Sequence, residues 1–189
     1  MSIQALAPQA FNGRRQINWF GLNNQPGDAA DLLPNAYADD AGVRAVSLQR
    51  ASPTQALAVS VCGPLGLDCN LQLGMGLLLG VNLTAAPLRL QWAQPVAAVG
   101  AFMVAQAHLG TPFTAVMWVH LVGANEWESV TMQGETGPVW THLGASVAPF
   151  VGARAPVGGA IDAVLFDAVH PTQLAFSPLG IGPLYFSEA

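Results

Sequence analysis

The run Phe113-Thr114-Ala115-Val116-Met117-Trp118-Val119-His120-Leu121-Val122, followed by Gly123-Ala124-Asn125-Glu126 and then Trp127-Glu128-Ser129-Val130-Thr131-Met132, reads as a β-hairpin. β-Branched and aromatic residues fill both arms, and a turn containing glycine separates them. Side chains alternate across a strand, so Phe113, Ala115, Met117, Val119 and Leu121 share one face, and Thr114, Val116, Trp118, His120 and Val122 share the other. The first set is the better core. Closing the turn on residues 123–126 sets Val122 opposite Trp127 and His120 opposite Ser129. Trp118, His120 and Trp127 then form a stripe on the second face, where an aromatic pair beside a polar group can stack on a sugar ring or anchor a protein partner. The alternative is that Trp118 lies under a second layer or a loop as ordinary core.

Outward from this hairpin the chain continues as short alternating segments. Strands are expected over residues 16–20, 43–49, 56–62, 77–83, 88–92, 96–105, 149–154, 160–167, 173–176 and 184–186, beside the two arms at 113–122 and 127–132. Twenty glycines and fourteen prolines, spread throughout, leave little room for helix. One short helical turn is expected at 29–33, capped by Asp28 and stopped by Pro34. The pattern predicts an all-β protein, an antiparallel two-sheet β-sandwich of jelly-roll-like form with little helix. No repeat and no compositional break divides it, so residues 1–189 read as a single domain.

Composition narrows the function. The 189 residues are 52% hydrophobic and only 9% charged, which excludes intrinsic disorder. All six basic residues are arginine, and eleven acids leave a net charge of −5, so nucleic acid is not an expected partner. The charge-free stretch 90–125 is broken by Pro95, Gly100, Gly110 and Pro112, and the run 71–83 by Gly74, Gly76 and Gly80, so no membrane-spanning helix is expected. Residues 1–11 show neither the basic nor the apolar run of a secretory leader. So few charges make a surface that is easily buried between subunits, and self-association is expected.

Cys62 and Cys69 bracket the loop Gly63-Pro64-Leu65-Gly66-Leu67-Asp68. A disulfide across it suits an oxidising compartment, and two buried thiols are the alternative. Asp28, Asp31, Asp39 and Asp40 gather in one loop region and are calcium candidates, since hard cations take several oxygens from such loops. Their spacing matches no EF-hand or RTX pattern, and a solvated acidic turn is the favoured explanation, so no metal or other cofactor is expected.

Enzyme signatures are missing from the sequence. His108, His120, His142 and His170 have no metal-ligand spacing. Gly144-Ala145-Ser146-Val147-Ala148 lacks the second glycine of a nucleophile elbow. Glu126, Glu128, Glu135, Asp162 and Asp167 are the central carboxylates from which a glycosidase pair would have to come. A non-catalytic chain is expected.

A resemblance runs through residues 17 to 176. Ile17-Asn18-Trp19-Phe20-Gly21-Leu22, then Leu33-Pro34-Asn35-Ala36-Tyr37 and Gly42-Val43, resemble the opening of many secreted bacterial jelly-roll domains of PEP-CTERM-type surface proteins. Leu88-Arg89-Leu90-Gln91-Trp92 with Pro95-Val96-Ala97-Ala98-Val99-Gly100-Ala101-Phe102 is similar to their central hairpin. Ala148-Pro149-Phe150-Val151-Gly152 and Ile161-Asp162-Ala163-Val164-Leu165-Phe166 are similar to their late strands. The chain departs from that pattern at Phe20, where an acid is usual, and at Leu174-Ala175-Phe176-Ser177-Pro178-Leu179. Those departures weaken the case for the calcium site of related carbohydrate-binding jelly rolls. The resemblance implies a carbohydrate-binding-like adhesion module, extracellular or at a cell surface, recognising a glycan or a protein. The alternative is a structural protein of a virion, such as a phage decoration or capsid-associated jelly roll.

Overall fold

One strand of eighteen residues organises the fold. In the computed structural model, residues 2–19, 36–38, 45–49, 56–62, 71, 76–81, 87–105, 110–136, 148–169 and 179–189 are described. Their strands are β1 (Gln4–Ala5), β2 (Arg15–Ile17), β3 (Ala36–Ala38), β4 (Ala45–Gln49), β5 (Ala56–Val61), β6 (Gly76–Val81) and β7 (Leu88–Ala105). They continue as β8 (Pro112–Leu121), β9 (Trp127–Glu135), β10 (Phe150–Arg154), β11 (Ile161–Val169), β12 (Leu179–Ile181) and β13 (Leu184–Glu188). The described helix is a single 3-10 turn, Pro8–Phe11, with proline in its first positions, where no backbone donor is needed.

The all-β, antiparallel expectation holds. The first half of β7 pairs with β4 and β11, the second half with β10 and β13, and its last residues with β12. β8 and β9 extend the sheet beyond β11, while β6 and β5 extend it beyond β12. All thirteen strands thus join in one hydrogen-bonded sheet that curls around its core as a half-barrel. The curl brings β10 against β8 and β9 across the interior.

Residues 88–92 and 96–105, expected as two strands, form one strand that is irregular at their junction. Between the pairs Ile161↔Val96 and Ala163↔Gln91, β11 advances two residues while β7 advances five. Pro95 lies in this excursion and has no N–H for the ladder. A second irregularity follows at once, since Ser187 pairs with Ala98 but Glu188 with Val96, which leaves Ala97 as an extra residue. The buried positions change parity there. Leu88, Leu90, Trp92 and Val96 face the main core on one side of the bulge, and Val99, Ala101, Met103 and Ala105 on the other.

Fully buried Ile17, Trp19, Phe113, Phe166 and Phe186 centre that core, each contributing about 1.5–3 kcal/mol by leaving water. Trp19 also donates its indole N–H to the carbonyl of Gly182 at 2.7 Å. On the opposite face of β7's second half, Phe102 of β7 packs with Phe11, Phe150 and Tyr185, Phe102 and Phe150 standing edge-to-face at 4.9 Å. Gly100 permits this packing, because a Cβ there would lie 2.6 Å from Phe150.

Several expectations fall on residues outside the described ones: the helical turn at 29–33, the strand at 173–176, and Asp28, Asp31, Asp39 and Asp40 as calcium candidates. The Cys62–Cys69 disulfide also lies outside them through Cys69. Cys62 is buried, with its Sγ 3.2 Å from the carbonyl oxygen of Leu71. Among the described residues, no helix is long and apolar enough to cross a membrane.

Candidate functional site

The hairpin forms with a different register from the one expected. His120 pairs with Trp127 and Trp118 with Ser129, a slip of two residues from Val122 opposite Trp127. The reason lies outside the hairpin. The backbone N–H of Val122 donates to Ala160 at 2.9 Å, which draws Val122 out of the β8–β9 ladder. The chain then turns early, with the N–H of Ala124 bonded to the carbonyl of Leu121 and Gly123 at φ 76°. A slip of two residues preserves side-chain parity, so Trp118, His120 and Trp127 still share one face.

Phe113, Ala115, Met117 and Val119 are buried as expected, and Leu121 packs against the core's edge. On the other face Trp118 is 40% exposed, so it is not covered by a second layer. Val116 on that face is buried, and His120 and Trp127 are half-buried. Two rows of paired residues cross the sheet here. One runs Gln91, Ala163, His120, Trp127, and the next runs Arg89, Leu165, Trp118, Ser129.

Long-range contacts fix this patch. The Nδ1 of His120 lies 2.7 Å from Oδ1 of Asp162, and its Nε2 lies 3.0 Å from the carbonyl oxygen of Ala124. Asp162 is an extra residue of β11, since Ile161 pairs with Leu121 but Ala163 with His120. The bulge turns its carboxylate towards the imidazole. Both ring nitrogens lie within hydrogen-bond distance of oxygen atoms, one on β11 and one in the hairpin turn. The imidazole packs against Trp127 with ring centroids 5.1 Å apart, and the Arg89 guanidinium stands 5.7 Å from the Trp127 centroid. Ala163, paired with Gln91 on one side and His120 on the other, is buried beneath this patch.

Polar groups border the aromatic rings. Thr114 and Gln133 exchange side-chain hydrogen bonds at 3.1 and 3.3 Å, while Ser129 and Thr131 are exposed. Farther along the same face, burial raises the Asp167 carboxyl above its ordinary range, and the N–H of Ala168 at 2.8 Å opposes that shift. Among the described residues, no three His, Cys, Asp or Glu side chains converge as metal ligands.

Sequence reasoning placed the three stripe residues on one face and missed two that organise them. Arg89 sits far from the hairpin in the chain. Asp162 was named only among the central carboxylates and not as a partner of His120, because the bulge that aims it has no sequence marker. No family model, curated protein or solved structure matches the chain.

Proposed function

We propose that this chain is a non-catalytic adhesion module, displayed outside a cell or on its surface, that holds a glycan against the outer face bearing Trp118, His120 and Trp127. Trp118 carries the reading: an indole 40% exposed in the middle of a paired strand, with the Trp127 ring on the neighbouring strand. A tryptophan on a rigid sheet is already ordered, so stacking on a sugar ring loses little conformational freedom. Ser129, Thr131, Thr114 and Gln133 offer hydroxyl and amide partners beside it. The engagement of both His120 nitrogens favours a supporting role for the imidazole over a chemical one. We read the curled sheet as jelly-roll-like, in line with the sequence's resemblance to bacterial surface domains.

A glycan array probed with the wild-type chain and with Trp118→Ala tests this. Binding that disappears in the variant while the unfolding midpoint stays in place supports it. Binding that survives the loss of Trp118 overturns it.

A second reading, assembly into a particle such as a virion, is favoured by β9. Among the described residues this nine-residue strand ends the path of paired strands, and it leaves Met132 50% exposed. Unpaired strand edges recruit further copies of a chain. Light scattering coupled to size exclusion separates the readings, since a large closed or open assembly favours the particle and a glycan-binding monomer the adhesion module.

A further inference from the structure

We propose that a second site, a cleft walled by Arg14, Arg15 and Arg154, binds the carboxylate or sulfate group of an acidic saccharide. Three of the chain's six arginines line this one cleft, with Glu188 as the single acidic residue among the described residues of its wall. Three different parts of the fold deliver them. Gly13, at φ 70°, ends the turn after the 3-10 helix and releases Arg14 beside Arg15, which pairs with Phe186 at the start of β2. Arg154 ends β10 and pairs with Ala98 of β7 and Gln4 of β1. Ala97, the extra residue of the β7 bulge, also lines the cleft, and Ser187 adds a small polar residue.

The electrostatics leave the cleft short of negative charge. Arg15 Nη2 lies 3.0 Å from Glu188 Oε1, which neutralises one cation. Arg14 and Arg154 form no ion pair among the described residues. Three guanidiniums against one carboxylate leave this cleft locally positive in a chain whose net charge is −5, which favours an anionic ligand there. The planar guanidinium fork matches a carboxylate or sulfate through two parallel hydrogen bonds. The open cleft, about 500 Å³, has the volume of a small-molecule site and is confined to a few residues, unlike the extended basic surface that follows a nucleic-acid backbone.

The ligand class rests on the glycan-binding reading above, but the cleft's lining shares no residue with the aromatic face. Calorimetric titration of the full chain therefore separates the two. The probes are a galacturonic acid trisaccharide, galactose 6-sulfate, neutral galactose and sodium sulfate. The proteins are the wild type, the double substitution Arg14→Gln with Arg154→Gln, and Trp118→Ala, each checked for its strand spectrum by circular dichroism. We expect at least one acidic sugar to bind the wild type, about tenfold or more weakly to the double arginine variant, and undiminished to Trp118→Ala. Added salt should weaken that binding. Sodium sulfate binding as tightly as the acidic sugars would show a free-anion site and overturn the saccharide assignment. Loss of acidic-sugar binding in Trp118→Ala with none in the arginine variant overturns the cleft and leaves the glycan reading intact. Absence of acidic-sugar binding to the wild type overturns the cleft, whatever neutral glycans do on the array.

Discussion

His120 Nδ1 stands 2.7 Å from Asp162 Oδ1, which ties the end of β8 to the extra residue of β11. With Nε2 on the carbonyl of Ala124, one imidazole holds together a hairpin turn and a bulge from a distant part of the chain. Both side chains are about a quarter exposed, so the pair is partly screened. We therefore expect Asp162→Ala to destabilise the fold by about 1–2 kcal/mol. Urea unfolding measures this, and an unchanged midpoint would mean that the contact is ornamental.

The five tryptophans should separate by burial. Trp19, with no exposed surface and a hydrogen bond to Gly182, should lose about 3–5 kcal/mol on change to alanine. Trp118→Ala should stay within about 1 kcal/mol of the wild type. Comparable losses at both positions, in paired denaturation curves, would show that Trp118 is packing rather than surface.

Trp127 lies between these cases, because its ring packs against His120 and faces Arg89. Trp127→Ala should cost about 1–2 kcal/mol and also remove glycan-array signal. A large loss of stability with no selective loss of binding would assign Trp127 to the core alone.

Gly100 has no room for a methyl group, with Phe150 at 2.6 Å and the carbonyl oxygen of Val151 at 3.0 Å from the position of a Cβ. Gly100→Ala should destabilise by about 1–3 kcal/mol, since β7 is held by neighbours on both sides at this point. Thermal unfolding followed by circular dichroism reads the effect, and a neutral substitution would contradict the packing of Phe150.

Asp167 gives the fold a defined pH dependence. Burial holds its carboxyl above the ordinary 3.8, so the native state binds this proton more tightly than the unfolded chain does. Its contribution to stability therefore falls as pH rises from the ordinary value through the raised one, and stays low above it. Asp167→Asn should be more stable than the wild type at neutral pH, with the difference vanishing near about pH 3, where both side chains are uncharged. Urea midpoints across that range test the sign.

Alternation along a strand is a local property with a period of two residues, so the sequence by itself determined the all-β class and most strand positions. It also determined that Trp118, His120 and Trp127 share a face. Glycine and proline content excluded long helices for an equally local reason. Only the tertiary structure decided the hairpin register, because the bond from Val122 to Ala160 competes with the turn from outside the hairpin. It likewise joined two expected strands into β7, whose bulges are stabilised by partners remote in the chain. The contact of Asp162 with His120 and the meeting of Arg14, Arg15 and Arg154 belong to the same class. Such contacts depend on which strands become neighbours when the sheet curls, and that choice is made by the core as a whole rather than by any one segment.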